Sequence, residues 1–155
     1  MNYCRCYQTA IGAVTLIEED GAITELLFGD CPAPTGAVSE ESPLLREAAS
    51  QLTEYLGGER REFQLPLNPK GTDFQRLVWA ALRTIPYGEA RSYGEIARQI
   101  GRPKASRAVG MANHRNPIAI FIPCHRVIGS DGKLVGYGGG LDIKEQLLKL
   151  EGVLK

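Results

Sequence analysis

Cys124 stands where an apolar run, Ile118-Ala119-Ile120-Phe121-Ile122, meets a polar segment; Pro123 precedes it and His125-Arg126 follow. A cysteine in apolar surroundings is ordinarily an inert small hydrophobe. Two adjacent basic side chains change the expectation, because positive neighbours lower a thiol pKa and the thiolate is the nucleophile. His125 is one of only two histidines in the chain. Adjacent side chains point apart, so a bridging water, not a direct bond, is expected to join Cys124 and His125. An acid would then orient the imidazole.

The elements around this turn set its position. Thr72 and Asp73 predict a helix start, with Phe74, Leu77, Val78, Ala81 and Leu82 as its stripe. Pro86-Tyr87-Gly88 breaks it. Ser92 caps a short helix over 93–100, closed by Gly101, and after the turn Arg102-Pro103-Lys104 a second helix runs from about 105 to 114. Two short helices joined by a tight turn form a helix-turn-helix pattern, whose second helix would be the reader. Asn116-Pro117 stops that helix. A loop with six glycines follows from Gly129 to Gly140, and then a last amphipathic helix over 141–150.

The first part reads differently. Residues 13–17 and 22–28 flank Glu-Glu-Asp-Gly and predict a hairpin, residues 29–41 a loop, and Ser42-Pro43 the start of a helix that Gly57-Gly58 ends. Residues 63–67 predict one more extended edge segment. The expected organisation is a small α/β domain over 1–66 and a mostly helical domain over 67–155.

Composition sets the outer bounds. The 155 residues are 43% hydrophobic and 23% charged, an ordinary globular balance. No apolar run reaches the roughly 20 residues that span a bilayer, and the N-terminus reads unlike a secretory signal. The expectation is a cytoplasmic protein with Cys4, Cys6, Cys31 and Cys124 reduced. The net charge of zero hides an asymmetry: residues 1–66 carry 4 basic and 11 acidic side chains, residues 83–126 carry 8 and 2. A basic segment that contains a helix-turn-helix suggests nucleic acid.

From Tyr93 to Gly152 the chain resembles the O6-alkylguanine-DNA alkyltransferases. The matching blocks are Ser92-Tyr93-Gly94-Glu95-Ile96-Ala97, Arg107-Ala108-Val109-Gly110, Asn116-Pro117, Ile122-Pro123-Cys124-His125-Arg126-Val127, Tyr137-Gly138-Gly139-Gly140-Leu141, Lys144-Glu145, Leu147-Leu148 and Glu151-Gly152. The first half resembles that family only through its hairpin and helix. The resemblance implies a ribonuclease H-like α/β domain followed by a winged-helix-like helix-turn-helix domain. It implies single-turnover transfer of an alkyl group from O6 of guanine, and from O4 of thymine, in double-stranded DNA to a protein cysteine. No cofactor and no membrane enter, and the protein acts as a monomer.

The resemblance also implies roles. Cys124 is the acceptor, His125 its base through water, and Glu151 the carboxylate behind His125. Asn116 ties the reading helix to the active-site turn, and the Tyr93 hydroxyl reaches N3 of the flipped guanine. Arg107 fills the gap left by that nucleotide, with Ala105, Ser106, Gly110 and Arg115 alongside on the DNA-facing helix. Val127, Tyr137 and Gly138 line the base pocket. Two positions depart from the pattern: residue 113 is Asn where some members carry a larger apolar side chain, and residue 138 is Gly where others have alanine or a small hydroxyl. Some members hold zinc through two Cys and two His in the first half; here the first histidine is His114, so no metal site is expected there.

Two other classes remain. A lesion-binding sensor shares the fold but lacks the reactive cysteine. A cysteine hydrolase needs a histidine bonded directly to its nucleophile and gives no reason for the basic helix pair. A regulatory member with an added metal-binding domain would need a longer chain.

Overall fold

The computed structural model describes residues 2–129, 131, 132, 137 and 139–155. It divides into two compact units, Met1–Lys70 and Gly71–Lys155.

In the first unit, four strands, β1 (Asn2–Thr9), β2 (Gly12–Glu19), β3 (Ala22–Phe28) and β4 (Ala37–Val38), form one sheet in the order β3-β2-β1-β4. The expected hairpin is β2–β3. Its two loop residues, Asp20 and Gly21, both have positive φ (51° and 82°), as a type I′ turn requires. Strand β1 has no signature of its own in the sequence, because its Tyr, Cys, Arg and Gln do not alternate cleanly in polarity. Pairing made it a strand: it is antiparallel to β2 along its whole length and parallel to β4, which lies inside the expected loop. Helix α1 (Pro43–Leu56) is capped by Ser42, whose Oγ accepts from the Leu45 N–H at 3.0 Å. Leu45, Ala48, Leu52 and Tyr55 are buried, as are Val14, Leu16, Ile17, Ile23 and Leu26 of the sheet. The expected edge segment shrinks to a single bridge, Leu67 to Ile23. That bridge keeps residues 67–70 with the first unit, past the expected boundary at 66.

In the second unit, α2 (Asp73–Leu82) and α3 (Tyr93–Gln99) each start in a capping box, Thr72 with Gln75 and Ser92 with Glu95. Helix α4 (Ser106–His114) packs on both, and Trp79 on α2 donates its indole N–H to the Ala112 carbonyl at 2.8 Å. A 3-10 turn at Cys124–Arg126 leads into β6 (Val127–Ile128), which pairs in parallel with β5 (Arg91–Ser92). Because β5 runs straight into α3, this pairing draws the start of α3 towards the cysteine turn. Helix α5 (Leu141–Leu150) closes the unit.

The apolar run 118–122 is buried throughout but doubles back on itself. Phe121 N–H donates to the Ala119 carbonyl across a γ-turn, and Ile120 at its centre has φ +72°. Such a conformation costs a β-branched residue about 1–3 kcal/mol. Burial of Ile120, which is 1% exposed, offsets a similar amount.

Candidate active site

The cysteine turn is built by side chains that hold backbone. Asn116 donates through Nδ2 to the Ile122 carbonyl at 2.9 Å and accepts the Ile118 N–H on Oδ1 at 3.0 Å, so it pins both ends of the run before Cys124. Asn113, buried on α4, donates to the Cys124 carbonyl at 3.4 Å. The departure at position 113 thus puts an amide where an apolar side chain would fill space, and it ties α4 to the cysteine turn.

Cys124 is 5% exposed and His125 is fully buried. The ring Nε2 of His125 lies 2.7 Å from Glu151 Oε2. Arg126 grips the same carboxylate in two places, Nε to Oε1 at 2.8 Å and NH2 to Oε2 at 3.0 Å, and sends NH1 to the Ile85 carbonyl at 2.6 Å. The Gly88 N–H also reaches Glu151 Oε1, at 3.3 Å. The Pro86-Tyr87-Gly88 breaker therefore has a second task. Gly88 sits at φ +83°, the Tyr87 hydroxyl donates to the Leu150 carbonyl, and the Tyr87 ring lies under the Arg126 guanidinium.

The electrostatics correct the sequence reading. Arg126 faces Glu151, not the thiol, and burial holds His125 below the usual histidine pKa despite the carboxylate, so its imidazole is neutral at pH 7. Burial pushes the Cys124 thiol up to about 11; Asn116 and the charge of Lys144 pull the other way but lose. The resting group is a thiol, not the thiolate expected from adjacent basic residues. Lys144, expected only as part of a matching block and given no role there, is fully buried, donates to the Val127 carbonyl at 2.6 Å, and is itself brought down to about 8 by burial. A signal for it was present: one turn either side of Leu147-Leu148, the stripe of α5 lands on Lys144 and Glu151.

The other expected residues fall as follows. Tyr93 opens α3, half-buried; burial first and Cys124 second raise its pKa, and a hydrogen bond with Asn113 opposes them. Gly110 lies against the Tyr93 ring, and a Cβ built there would stand 3.8 Å from it, an ordinary contact. Packing inside the unit therefore does not require a glycine at 110. Val127 and Tyr137 are buried, while Gly138 lies outside the described residues. Arg107 and Arg115 are exposed on and just beyond α4, and Ala105 and Ser106 at its start are half-buried. Among the described residues no group of His, Cys, Asp or Glu is arranged to hold a metal ion, and no helix is long and apolar enough to cross a membrane.

Residues 2–69 match the family described as 6-O-methylguanine DNA methyltransferase, ribonuclease-like domain, and residues 73–153 match the DNA binding domain of the same family. The chain belongs to the 6-O-methylguanine DNA methyltransferase family. It is 52% identical over 154 residues to the methylated-DNA–protein-cysteine methyltransferase of Methanosarcina acetivorans, covering 97% of this chain and 98% of the relative. The counterpart from Mycolicibacterium paratuberculosis is 54% identical over 150 residues, covering 95% and 90%. Among solved structures, OGT from Mycobacterium tuberculosis in complex with DNA superposes with a TM-score of 0.90 at 50% identity, covering 97% of this chain and 92% of that one. A member of this family pairs a ribonuclease-like domain with a DNA-binding domain, the two-unit order seen here, and α3–α4 is the helix-turn-helix of the second.

Proposed function

We propose that Cys124 is the alkyl-accepting residue of this family's reaction, the direct, single-turnover transfer of a methyl or larger alkyl group from O6 of guanine in DNA to a protein cysteine. O4-alkylthymine is a second substrate, and the chain acts as a cytoplasmic monomer on duplex DNA. The observation that carries the assignment is a buried His125–Glu151 pair directly after a buried Cys124, with Arg126 and Gly88 fixing the carboxylate.

Each residue's work follows from its surroundings. A thiol held near 11 is inert towards adventitious electrophiles at pH 7. Its proton leaves only when a water relays it to neutral His125, and the ionised Glu151 stabilises the imidazolium that forms. The sulfur attacks the alkyl carbon in line. The S–C bond forms, the C–O bond to guanine breaks, and Tyr93 supplies a proton to N3 of the departing base. Neither imidazole nor carboxylate cleaves a thioether, so each molecule acts once. The lesion must first be extruded from the duplex, at a cost of a few kcal/mol, and Arg107 holds the vacated space.

Intact-mass measurement after mixing with O6-methylguanine duplex should show one methyl per molecule, and peptide mapping should put it on Cys124. Turnover beyond one, or methylation of Cys4, Cys6 or Cys31, would refute the assignment; tight binding with no mass change would make the chain a lesion sensor. Arg107→Ala should lower the rate on duplex much more than the rate on free O6-benzylguanine, which needs no extrusion. Equal losses on both would move Arg107 into the chemical site.

A further inference from the structure

Met111 is 62% exposed, the most exposed large hydrophobic residue described. It lies on α4, one turn beyond Arg107. Helix α4 buries Val109, Ala112 and Asn113 and turns Arg107, Ala108, Met111 and His114 outward, with Arg115 continuing the same face at the helix end. That face carries three basic residues, one small residue, no acid and one long apolar side chain.

We propose that Met111 is a minor-groove wedge, which enters the duplex beside Arg107 and helps hold the groove open around the extruded nucleotide. The inference rests on the reading of α4 as the DNA-facing helix and on its approach from the minor groove, the side from which apolar wedges enter base steps. A helix is about 10–12 Å across with its side chains, and the minor groove of B-DNA is about 6 Å wide. The helix body therefore cannot enter, and only side chains reach in. Backbone approach to the groove demands small residues between those that reach. Ala108, exposed between Arg107 and Met111, meets that demand, and Gly110, whose Cβ would point inward against the Tyr93 ring, adds no side chain to the outer face. Arg107 and Arg115 can meet phosphates or the groove edge, but neither supplies an apolar tip. The unbranched thioether of Met111 does, and Met is among the residues that minor-groove proteins push between base steps. Four residues of helix separate Met111 from Arg107 by about 6 Å, close to two base steps of about 3.4 Å each, which suits two neighbouring insertions.

The test separates this contact from a phosphate contact by its salt dependence. Affinity for a duplex carrying O6-methylguanine is measured over a salt series for the wild type, Met111→Ala, Met111→Leu and Arg107→Ala, with thermal midpoints as the check on folding. Met111→Ala should bind roughly tenfold more weakly, the value of burying much of a Met side chain, with the slope of log K against log salt unchanged. Met111→Leu should recover most of the loss. The loss should be larger on duplex than on the same strand single-stranded. Wild-type affinity for Met111→Ala at every salt, equal losses on single and double strands, or no recovery by leucine would each overturn the wedge. Arg107→Ala tests the reading underneath. It should flatten the slope by about one if Arg107 also neutralises a phosphate on entry. Unchanged duplex affinity and slope for Arg107→Ala would remove α4 from the DNA, a failure distinct from that of Met111.

Discussion

Cys4 and Cys124 are both buried thiols, and burial is the largest influence raising the pKa of each. They differ in what surrounds them. Around Cys4 every further influence, from Cys31, Glu25, Asp30 and Cys6, raises the pKa again. Around Cys124 the further influences, from Asn116, Lys144 and the local backbone, all lower it. One thiol sits among groups that oppose a thiolate, the other among groups that await one. The buried polar groups of the two units repeat the contrast. In the first unit they serve local structure, Ser42 with Glu18 at a helix start and Gln51 with the backbone of Gln64. In the second, His125, Arg126, Glu151, Lys144 and Asn113 gather around one turn. Buried charge is a costly way to gain stability, so such a gathering marks chemistry.

The largest expected effect is the direct contrast. Cys124→Ser should abolish methyl transfer, and Cys4→Ala should leave the single-turnover rate unchanged; a reversed outcome in the same duplex assay would break the comparison. Next comes Glu151→Gln, which should slow transfer by on the order of 10²–10⁴-fold. The pH profile carries the more specific sign. Glu151 raises the His125 pKa against burial, so its neutralisation moves the acid limb of the rate profile to lower pH while the plateau drops. A drop with no shift of the limb would make Glu151 a merely structural residue.

Lys144→Met should cost transfer roughly tenfold, because loss of a nearby positive charge pushes the Cys124 thiol further up. It also has a stability signature. The folded Lys144 pKa of about 8 lies below its ordinary 10.5, so its contribution is fully present above 10.5 and is lost as pH falls through about 8. In a Cys124→Ala background, which removes the opposing thiol, denaturant unfolding should show stability rising across that window, and Lys144→Met should flatten the rise. The smallest effect belongs to Gly88→Ala. Its positive φ and the 3.2 Å approach of a Cβ to the Glu151 carbonyl predict a loss of about 1 kcal/mol and a severalfold slower transfer. Unchanged rate and midpoint would show that the Gly88 contact does not position the carboxylate.

The sequence alone determined the chemical parts list and most of the frame. The Asp20-Gly21 turn, the Ser42, Thr72 and Ser92 caps and the glycine stops are local rules, satisfied within a few residues, so they were legible. Cys124 and His125 stood out by their place at the end of the apolar run, and Glu151 and Asn116 only through the resemblance that the motif carries. Strand β1 was not, because its conformation comes from partners on both sides and not from its own pattern. The same holds for the γ-turn at Ile120, whose unfavourable backbone only burial sustains. Above all, the state of the thiol belonged to the tertiary structure. Adjacent residues suggested a thiolate flanked by Arg126 and His125. Folding turned Arg126 towards Glu151, left His125 neutral, and brought Lys144 in from α5 beneath a thiol that burial keeps protonated. Charge acts through space and dielectric, and neither is written in the order of residues along the chain.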